Sequence, residues 1–252
     1  MPTQPKIAFI TGANRGIGLE TARGLGKLGI HVLLASRDLA KGQSAAAALK
    51  KEGIKDVEAV QFEVADREHH HHIAETIKSR FGRLDILVNN AGVMLDDGDF
   101  AKPGGFNTSS TVSEKVLRDT FDANFFAVVS LTQTLLPLIK ASPAGRIVNL
   151  SSILGSLTLH ADPKSPIYQA KAFAYDASKT ALNAFTVHLA AELKNTPIKV
   201  NSAHPGWVKT DMGGPGATLE VSEGGKTSVQ LASLDADGPS GGFFHLGQPL
   251  PW

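Results

Sequence analysis

The N-terminal segment combines a short apolar run, a glycine-rich loop and a helical periodicity, in that order. Lys6–Ile10 is typical of a buried strand, and Thr11–Gly18 follows it with glycines at 12, 16 and 18. Glycines let a phosphate approach the backbone closely, and a helix N-terminus attracts anions. A structural turn would also explain such glycines, but the flanking strand and helix favour a dinucleotide site. Its predicted residues are Gly12, Asn14, Arg15, Gly16, Ile17 and Gly18.

Strands and helices alternate along the chain. Strands are predicted near 6–10, 31–35, 57–62, 84–89, 145–150, 198–203 and 242–245, and helices near 16–29, 38–52, 67–82, 113–141 and 173–195. Such alternation without a linker predicts one α/β domain over residues 1–252, with a parallel sheet covered by helices on both faces. Ligands of such sheets bind beyond the carboxyl ends of the strands, where Gly12, Asn89, Ser152 and Pro205 fall.

The composition argues against several function classes. The chain has 252 residues with 25 Lys+Arg against 24 Asp+Glu, so neither nucleic acid nor an anionic membrane is implied. It has no cysteine, which removes disulfides and cysteine-ligated metal sites. No apolar run reaches about 18 residues and no signal-peptide core is present, so we expect a cytoplasmic protein. The run His69–His72 could suggest metal binding, but we expect it at the exposed start of a helix and predict no metal site.

The residues after the second predicted strand bear on the choice of dinucleotide. NAD sites place a carboxylate there, which binds the ribose 2′-hydroxyl and would repel a 2′-phosphate. This chain has Ser36 and Arg37 instead, and the planar fork of arginine suits a phosphate. Arg15 in the glycine loop is expected to approach the same phosphate, so we predict NADP(H). Two solvated surface arginines are the alternative, and Asp38 is expected to cap the next helix.

Tyr175 and Lys179 stand four residues apart in a predicted helix, which puts both side chains on one face. A free phenol has a pKa of about 10, which is too high for an efficient proton shuttle at neutral pH. A neighbouring ammonium favours the phenolate, so we expect Lys179 to lower the pKa of Tyr175. The pair alone is a short motif, and a core tyrosine is the alternative. Tyr168 is a weaker candidate, because Lys171 lies only three residues beyond it.

Four further motifs occur between the glycine-rich loop and the Tyr175–Lys179 pair, or after that pair. They are N-N-A-G at 89–92 after a predicted strand, Asn124 in the helix that follows, Ser151-Ser152 at the end of the next strand, and Pro205-Gly206 after the strand near 198–203. Together, the motifs resemble the short-chain dehydrogenase/reductase family over nearly the whole chain. Within it, the chain is similar to the short NADPH-dependent carbonyl reductases. The resemblance implies a single-domain, Rossmann-like, doubly wound parallel sheet.

The resemblance also implies a reaction and the residues that perform it. In that scheme Tyr175 gives a proton to a carbonyl oxygen of a small-molecule substrate as hydride arrives from the nicotinamide, and Ser152 hydrogen-bonds the same oxygen. Lys179 lowers the pKa of Tyr175 and holds the nicotinamide ribose, while Asn124 supports a water through which protons return. Further cofactor contacts are implied for Ser36, Arg37, Glu63, Val64, Asn90, Ala91, Gly92, Pro205, Gly206, Val208 and Thr210, besides Tyr175 and Lys179.

Two segments, 153–172 and 207–222, are expected to shape the substrate pocket. The interval from Ser152 to Tyr175 is longer than in many family members, and its extra stretch, Leu157–Pro166, is expected to form a loop beside the substrate. Glycines at 213, 214 and 216 make the second segment permissive, so we expect it to be mobile without cofactor. A non-catalytic NADP(H)-sensing regulator of the same fold is the alternative function. The sequence is compatible with a homo-oligomer and does not decide the oligomeric state.

Overall fold

A computed structural model describes residues 5–98, 106 and 108–252, and its eight strands form one sheet. The strands are β1 Ile7–Ile10, β2 His31–Ser36, β3 Val57–Gln61, β4 Ile86–Asn89, β5 Arg146–Leu150, β6 Lys199–Ala203, β7 Phe243–His245 and β8 Gln248–Pro249. Their order is β3-β2-β1-β4-β5-β6-β7-β8, parallel from β3 to β7, with β8 antiparallel to β7. The predicted doubly wound α/β fold is confirmed.

Helices connect most of these strands. They are α1 Gly16–Lys27, α2 Leu39–Lys51, α3 Arg67–Phe81, α4 Glu114–Phe121, α5 Ala127–Lys140, α6 Leu157–Ala161, α7 Phe173–Glu192, α8 Val221–Gly224 and α9 Lys226–Ala232. A π-helical segment, Asp122–Phe126, joins α4 to α5, and a 3-10 turn, Ile153–Gly155, follows β5.

Strand β1 shows that both faces of the sheet are covered. Ile10 belongs to one buried cluster with Leu25 of α1 and Leu49 of α2. Phe9 belongs to a second buried cluster with Ile77 of α3, to which α5 and α7 also contribute. Each fully buried side chain of this size stabilises the fold by about 1.5–3 kcal/mol. Strand β1 is accordingly a continuous apolar run, as a parallel strand buried on both faces requires.

The strand order reverses next to β1, and this reversal creates the site. From β1 the chain winds outward through β2 to β3, and then returns to the other side of β1 as β4. The loops after β1 and β4 leave the sheet toward opposite faces, so a crevice opens between them at the carboxyl ends of the strands.

Several elements differ from the prediction. The helix expected near 113–141 is interrupted by the π-helical segment Asp122–Phe126, and Leu157–Pro166, expected as a loop, begins with α6. Helices α8 and α9 and strand β8 were not predicted. These three unpredicted elements are short, and a short element has too few residues to show a periodic pattern of apolar side chains.

The histidine run is not wholly exposed, so that prediction is wrong for His70. His70 is buried, its Nε2 lies 2.7 Å from the carbonyl oxygen of Val64 and its Nδ1 lies 3.2 Å from the hydroxyl of Ser130. Its ring also stacks on Phe62. The run therefore helps to dock α3 on the sheet. Within the described ranges, no group of three or more His, Asp or Glu side chains could hold a metal ion.

The continuous helical stretch Glu114–Lys140 is long and apolar enough to cross a membrane, with a hydropathy of 1.3 over its most apolar window. Half of that window is buried inside the protein, where α5 contacts α3 and β4. A helix in the core of a protein can have the same length and hydropathy without spanning a membrane.

Candidate active site

A cleft of ≈ 1620 Å³ runs along the carboxyl ends of the strands. The predicted cofactor residues that line it are Gly12, Asn14, Arg15, Gly16, Ile17, Gly18, Ser36, Arg37, Glu63, Val64, Asn90, Ala91, Gly92, Tyr175, Lys179, Pro205, Gly206, Val208 and Thr210. Asn124 and Ser152 lie behind this surface, in contact with residues that line it. Residues from distant parts of the sequence thus form one connected site.

The backbone of the glycine loop leaves an open cradle for an anion. Gly12 and Gly16 have φ angles of +62° and +56°, which glycine adopts without strain. A Cβ at Gly18 would lie 2.5 Å from the carbonyl oxygen of Gly12. Arg15 precedes α1 without a side-chain cap, so the first N–H groups of the helix are available to a ligand. These features fit the phosphates of a dinucleotide.

The N-N-A-G segment is tied to the glycine loop. Asn90 donates through Nδ2 to the carbonyl oxygens of Thr11 (2.8 Å) and Gly12 (3.1 Å). The Thr11 hydroxyl accepts the N–H groups of Asn90 and Ala91, both at 2.9 Å. Both loops therefore form one floor of the cleft. The sequence did not single out Thr11 as a positioning residue, although it begins the glycine motif.

The three predicted catalytic side chains meet near the end of β5. Tyr175 and Lys179 lie a turn apart on α7 and are 8% and 4% exposed. Lys179 Nζ is 5.5 Å from the centre of the Tyr175 ring and donates to the carbonyl oxygen of Leu150 at 2.9 Å. Ser152 lies near enough to the phenol of Tyr175 to lower its pKa, and its Oγ accepts the N–H of Leu154 at 3.2 Å.

Burial dominates the acid–base properties of this group. It raises the pKa of Tyr175 to about 12, while the neighbouring hydroxyl of Ser152 acts in the opposite direction. Burial also lowers the pKa of Lys179 to about 8. The shift at Tyr175 is therefore opposite to the one expected from the neighbouring lysine, because desolvation disfavours both charged forms. The phenol is held neutral, and the ammonium titrates near neutral pH.

Asn124 clamps the loop after β4 from within the π-helical segment. Its Oδ1 accepts the N–H of Val93 and its Nδ2 donates to the carbonyl oxygen of Val93, both at 2.8 Å. Nδ2 also donates to Ser178 Oγ at 3.0 Å. A Cβ at Gly92 would lie 3.1 Å from Asn124 Oδ1, so the packing here is close. Since both polar atoms of the side chain are engaged, the expected water would have to bind the backbone of this segment.

The two arginines predicted to select the cofactor have separate partners. Arg15 forms an ion pair with Asp211, from the loop after β6. Arg37 Nε lies 3.7 Å from Glu63 Oε2, and the side chains of Arg15 and Arg37 are 72% and 78% exposed. Exposed pairs contribute about 0–1 kcal/mol, so an incoming phosphate can displace them at little cost.

The end of β2 confirms one prediction and adds a residue. Asp38 is the N-cap of α2 and accepts the N–H of Lys41 at 3.1 Å, as expected. Ser36 donates its hydroxyl to the carbonyl oxygen of Asp38 at 2.7 Å. Lys41 also lines the cleft and adds a third cation to it, with its Nζ 3.6 Å from Asp38 Oδ2. The sequence did not predict it, although its place in the first turn of α2 is a detectable signal.

Two residues near Ser152, the predicted catalytic serine, were not predicted as site residues. Ser151 is 2% exposed and lines the cleft, and within the described part of the chain its hydroxyl has no hydrogen-bond partner. It is therefore a candidate ligand contact. His204 accepts the N–H of Ile153 through Nδ1 at 3.2 Å, and burial lowers its pKa to about 3. Its neutral ring fixes the turn that carries Ser152.

The part of the cleft that is predicted to receive the substrate is largely apolar. Met94, Leu154, Trp207 and Met212 line it, and Leu154 belongs to a small buried cluster with Tyr175. Tyr168 lies outside this lining, with Lys171 Nζ 4.9 Å above its ring.

The 207–222 segment folds back on itself. Val208 forms a β-bridge with Leu219, and Trp207 Nε1 donates to the carbonyl oxygen of Gly213 at 2.8 Å. The mobility that we expect of the 207–222 segment in the absence of cofactor stays a prediction.

Comparison with known proteins identifies the family. The model of the short chain dehydrogenase family matches residues 6–218. The chain is 35% identical to (+)-neomenthol dehydrogenase of Arabidopsis thaliana, over 95% of this chain and 96% of that protein. It is 33% identical to carbonyl reductase (NADPH) 1 of Homo sapiens, over 94% and 95% respectively. The chain therefore belongs to the short chain dehydrogenase family, and it is an oxidoreductase of that family.

A solved structure agrees with this assignment. An NADPH-bound carbonyl reductase from chicken fatty liver superposes with a TM-score of 0.80 at 30% identity, covering 99% of this chain and 95% of that one.

Proposed function

We propose that this protein reduces the carbonyl group of aldehydes or ketones to an alcohol, with NADPH as cofactor. The observation that carries the proposal is the meeting of Ser152, Tyr175 and Lys179 at one end of a cleft whose other end is the glycine loop. A phenol, a hydroxyl and an ammonium around one point form a proton donor with electrostatic support. The names of the carbonyl reductases that resemble this chain support the same chemistry.

The preference for NADPH rests on charge at the adenosine end of the cleft. Ser36 leaves neutral the position where NAD sites carry an acid, and Arg15, Arg37 and Lys41 lie within reach of the same region. These cations would hold a 2′-phosphate, the N–H groups of the glycine loop would hold the pyrophosphate, and Lys179 would hold the nicotinamide ribose. When bound, the cofactor supplies the hydride.

Tyr175 is the proposed proton donor to the substrate oxygen. With its pKa raised to about 12, the phenol is protonated throughout the neutral range, which is the state that a donor needs. Ser152 lies beside the phenol and can donate to the same substrate oxygen as negative charge develops on it. The ammonium of Lys179 stabilises the phenolate left after transfer.

The same pKa values suit the starting state of the reduction. Reduction begins with a neutral Tyr175, whereas oxidation of an alcohol begins with its phenolate, which burial disfavours. After reduction, Lys179 can return a proton to the phenolate, because its own pKa of about 8 lies near the pH of the solvent.

The direct test is the loss of NADPH absorbance with a panel of aldehydes and ketones, run in parallel with NADH. We expect turnover of apolar carbonyls with NADPH and slower turnover with NADH. Ser152→Ala should bind NADPH normally and turn over about 10²-fold more slowly. Binding of NADPH without turnover of any carbonyl would favour the sensing regulator. Equal use of both cofactors would contradict the NADPH preference.

A further inference from the structure

Helix α7 carries Tyr175 in its first turn but has no capping side chain at its N-cap residue. That residue is Ala172, whose methyl group cannot accept a hydrogen bond. The first N–H groups of any helix lack partners within the helix, and buried N–H groups require partners. Another part of the chain must therefore provide acceptors at the start of α7.

Asp96, in the loop after β4, provides two of them. Its Oδ1 accepts the N–H of Ala174 and its Oδ2 accepts the N–H of Tyr175, both at 2.9 Å. The residue is 6% exposed, so this carboxylate is buried against the helix N-terminus. A negative charge is favourable there, because the N-terminus is the positive end of the helix dipole.

The peptide units on both sides of Tyr175 are thereby tied to the same loop. Its N–H binds Asp96, and its carbonyl oxygen accepts from Ser178 Oγ at 2.7 Å. Ser178 in turn accepts from Asn124, which makes two hydrogen bonds to Val93. Val93 and Asp96 belong to the loop that continues from the N-N-A-G segment into the floor of the cleft. The place of the phenol above that floor therefore depends on Asp96.

We propose that Asp96 is a positioning residue for proton transfer, holding the catalytic tyrosine through its backbone N–H. The inference rests on the proposed role of Tyr175 as proton donor. A donor must lie within hydrogen-bond reach of the substrate oxygen, and a displacement of about 1 Å can lower the rate about 10²-fold. Asp96 acts through Tyr175 and need not touch the substrate or the cofactor.

The chain offers a matched control on the same helix turn. Asp176 is also buried and also caps α7, since its Oδ2 accepts the N–H of Ala172 at 3.0 Å. Its carboxylate lies 3.3 Å from Nε2 of His160, whereas the N–H of Tyr175 is bound by Asp96. Asp176→Asn thus perturbs a helix cap without releasing the backbone of Tyr175. Asp97→Asn, at the exposed neighbour of Asp96, is the surface control.

The experiment compares Asp96→Ala, Asp96→Asn and both controls by two readouts. The first is kcat for a carbonyl substrate, counted per NADPH-binding site, with KM and the NADPH Kd measured alongside. We expect Asp96→Ala to lower kcat about 10–100-fold, with KM and Kd nearly unchanged. Asp96→Asn keeps one acceptor and should fall between Asp96→Ala and wild type, which preserves the comparison if Asp96→Ala does not fold. The second readout is amide hydrogen exchange of Ala174 and Tyr175, which should accelerate in both Asp96 variants.

The outcomes separate the possible failures. If the kcat of the Asp96 variants stays near wild type, or falls no further than that of Asp176→Asn, Asp96 is only a helix cap and the proposal is overturned. Unchanged amide exchange at Ala174 and Tyr175 overturns the contact itself, whatever the activity. If wild-type protein turns over no carbonyl, the proposed function fails and the catalytic part of this inference fails with it, while the exchange data still report on the contact.

Discussion

The two ends of the cleft are built in different ways. At the end proposed to be catalytic, Tyr175, Lys179 and Asn124 are at most 8% exposed. Asn124 binds the backbone of Val93, Lys179 donates to the carbonyl oxygen of Leu150 at the end of β5, and the N–H of Tyr175 is bound by Asp96. At the end proposed to bind the adenosine, Arg15 and Arg37 have side chains that are 72% and 78% exposed and are paired with carboxylates on the rim.

This difference indicates which properties a substitution can change. Removing a partner from a buried hydrogen-bonded group leaves the other unsatisfied, which destabilises by about 1–3 kcal/mol. Breaking an exposed ion pair changes the energy by about 0–1 kcal/mol. The chemistry of the site is therefore held by many mutually dependent contacts, whereas the preference for a cofactor depends on a few independent charges.

The largest effect is expected from Tyr175→Phe at the buried end. The variant keeps the ring and its packing but removes the proposed proton, so kcat should fall at least about 10²-fold. The NADPH Kd should stay close to that of wild type. Steady-state kinetics and a fluorescence titration measure the two quantities.

Tyr168→Phe is the matched control for this change. Tyr168 is the other tyrosine of the chain, and it lies outside the cleft lining beneath Lys171. Its variant should turn over like wild type. A Tyr175→Phe enzyme that kept most of its activity would refute the assignment of the proton donor.

At the exposed end, Arg37→Asp should weaken NADPH binding about 10–100-fold. One charge-assisted hydrogen bond is worth roughly 1.5–3 kcal/mol, and 1.4 kcal/mol corresponds to a factor of ten. The new carboxylate would also stand beside Glu63 and repel the phosphate, while NADH should bind as well as before or better. Titrations of both cofactors measure the ratio of the two affinities.

Arg118→Asp controls for the change in net charge. Arg118 has a 73% exposed side chain on α4, paired with Glu114 and outside the cleft lining. Its variant should bind both cofactors like wild type. The NADPH preference would be wrong if Arg37→Asp left the ratio of affinities unchanged.

The same contrast explains what the sequence could predict. The glycine loop, the N-N-A-G segment and the Tyr175–Lys179 pair are local patterns, and the structure brings them into one cleft. The cap formed by Asp96 joins residues 78 and 79 positions apart, so no local pattern indicates it. The burial of His70 and the direction of the Tyr175 pKa shift depend on tertiary packing in the same way.

A pH profile tests the buried end again, with a smaller expected effect. Burial lowers the pKa of Lys179 to about 8, so its ammonium is present below that pH and lost above it. The kcat/KM of reduction, which reports the ionisation of the free enzyme, should therefore fall as pH rises through about 8, by at most about tenfold per unit. A kcat/KM that stays level up to pH of about 9.5 would show that the charge of Lys179 is not needed.

Stability should change in the opposite direction from activity. The folded pKa of Lys179 is about 8 against an ordinary value of 10.5, so the unfolded chain binds more protons between these pH values. The free energy of unfolding contributed by this group therefore rises with pH over that window. Denaturant unfolding measured alongside the kcat/KM profile distinguishes lost chemistry from lost folding.

The smallest expected effect concerns the rim of the cleft, in the 207–222 segment. Asp211 meets Arg15 there in an exposed ion pair, which contributes little to holding the segment in place. Gly214 has a φ of +68°, a conformation that glycine adopts without strain. Hydrogen exchange in this segment should slow when NADPH binds, because the ligand adds contacts along Val208 and Thr210. The loop clamped by Asn124 and Asp96 should exchange slowly with or without NADPH. If hydrogen exchange in 207–222 had the same rate with and without NADPH, the conformation of this segment would not depend on the cofactor.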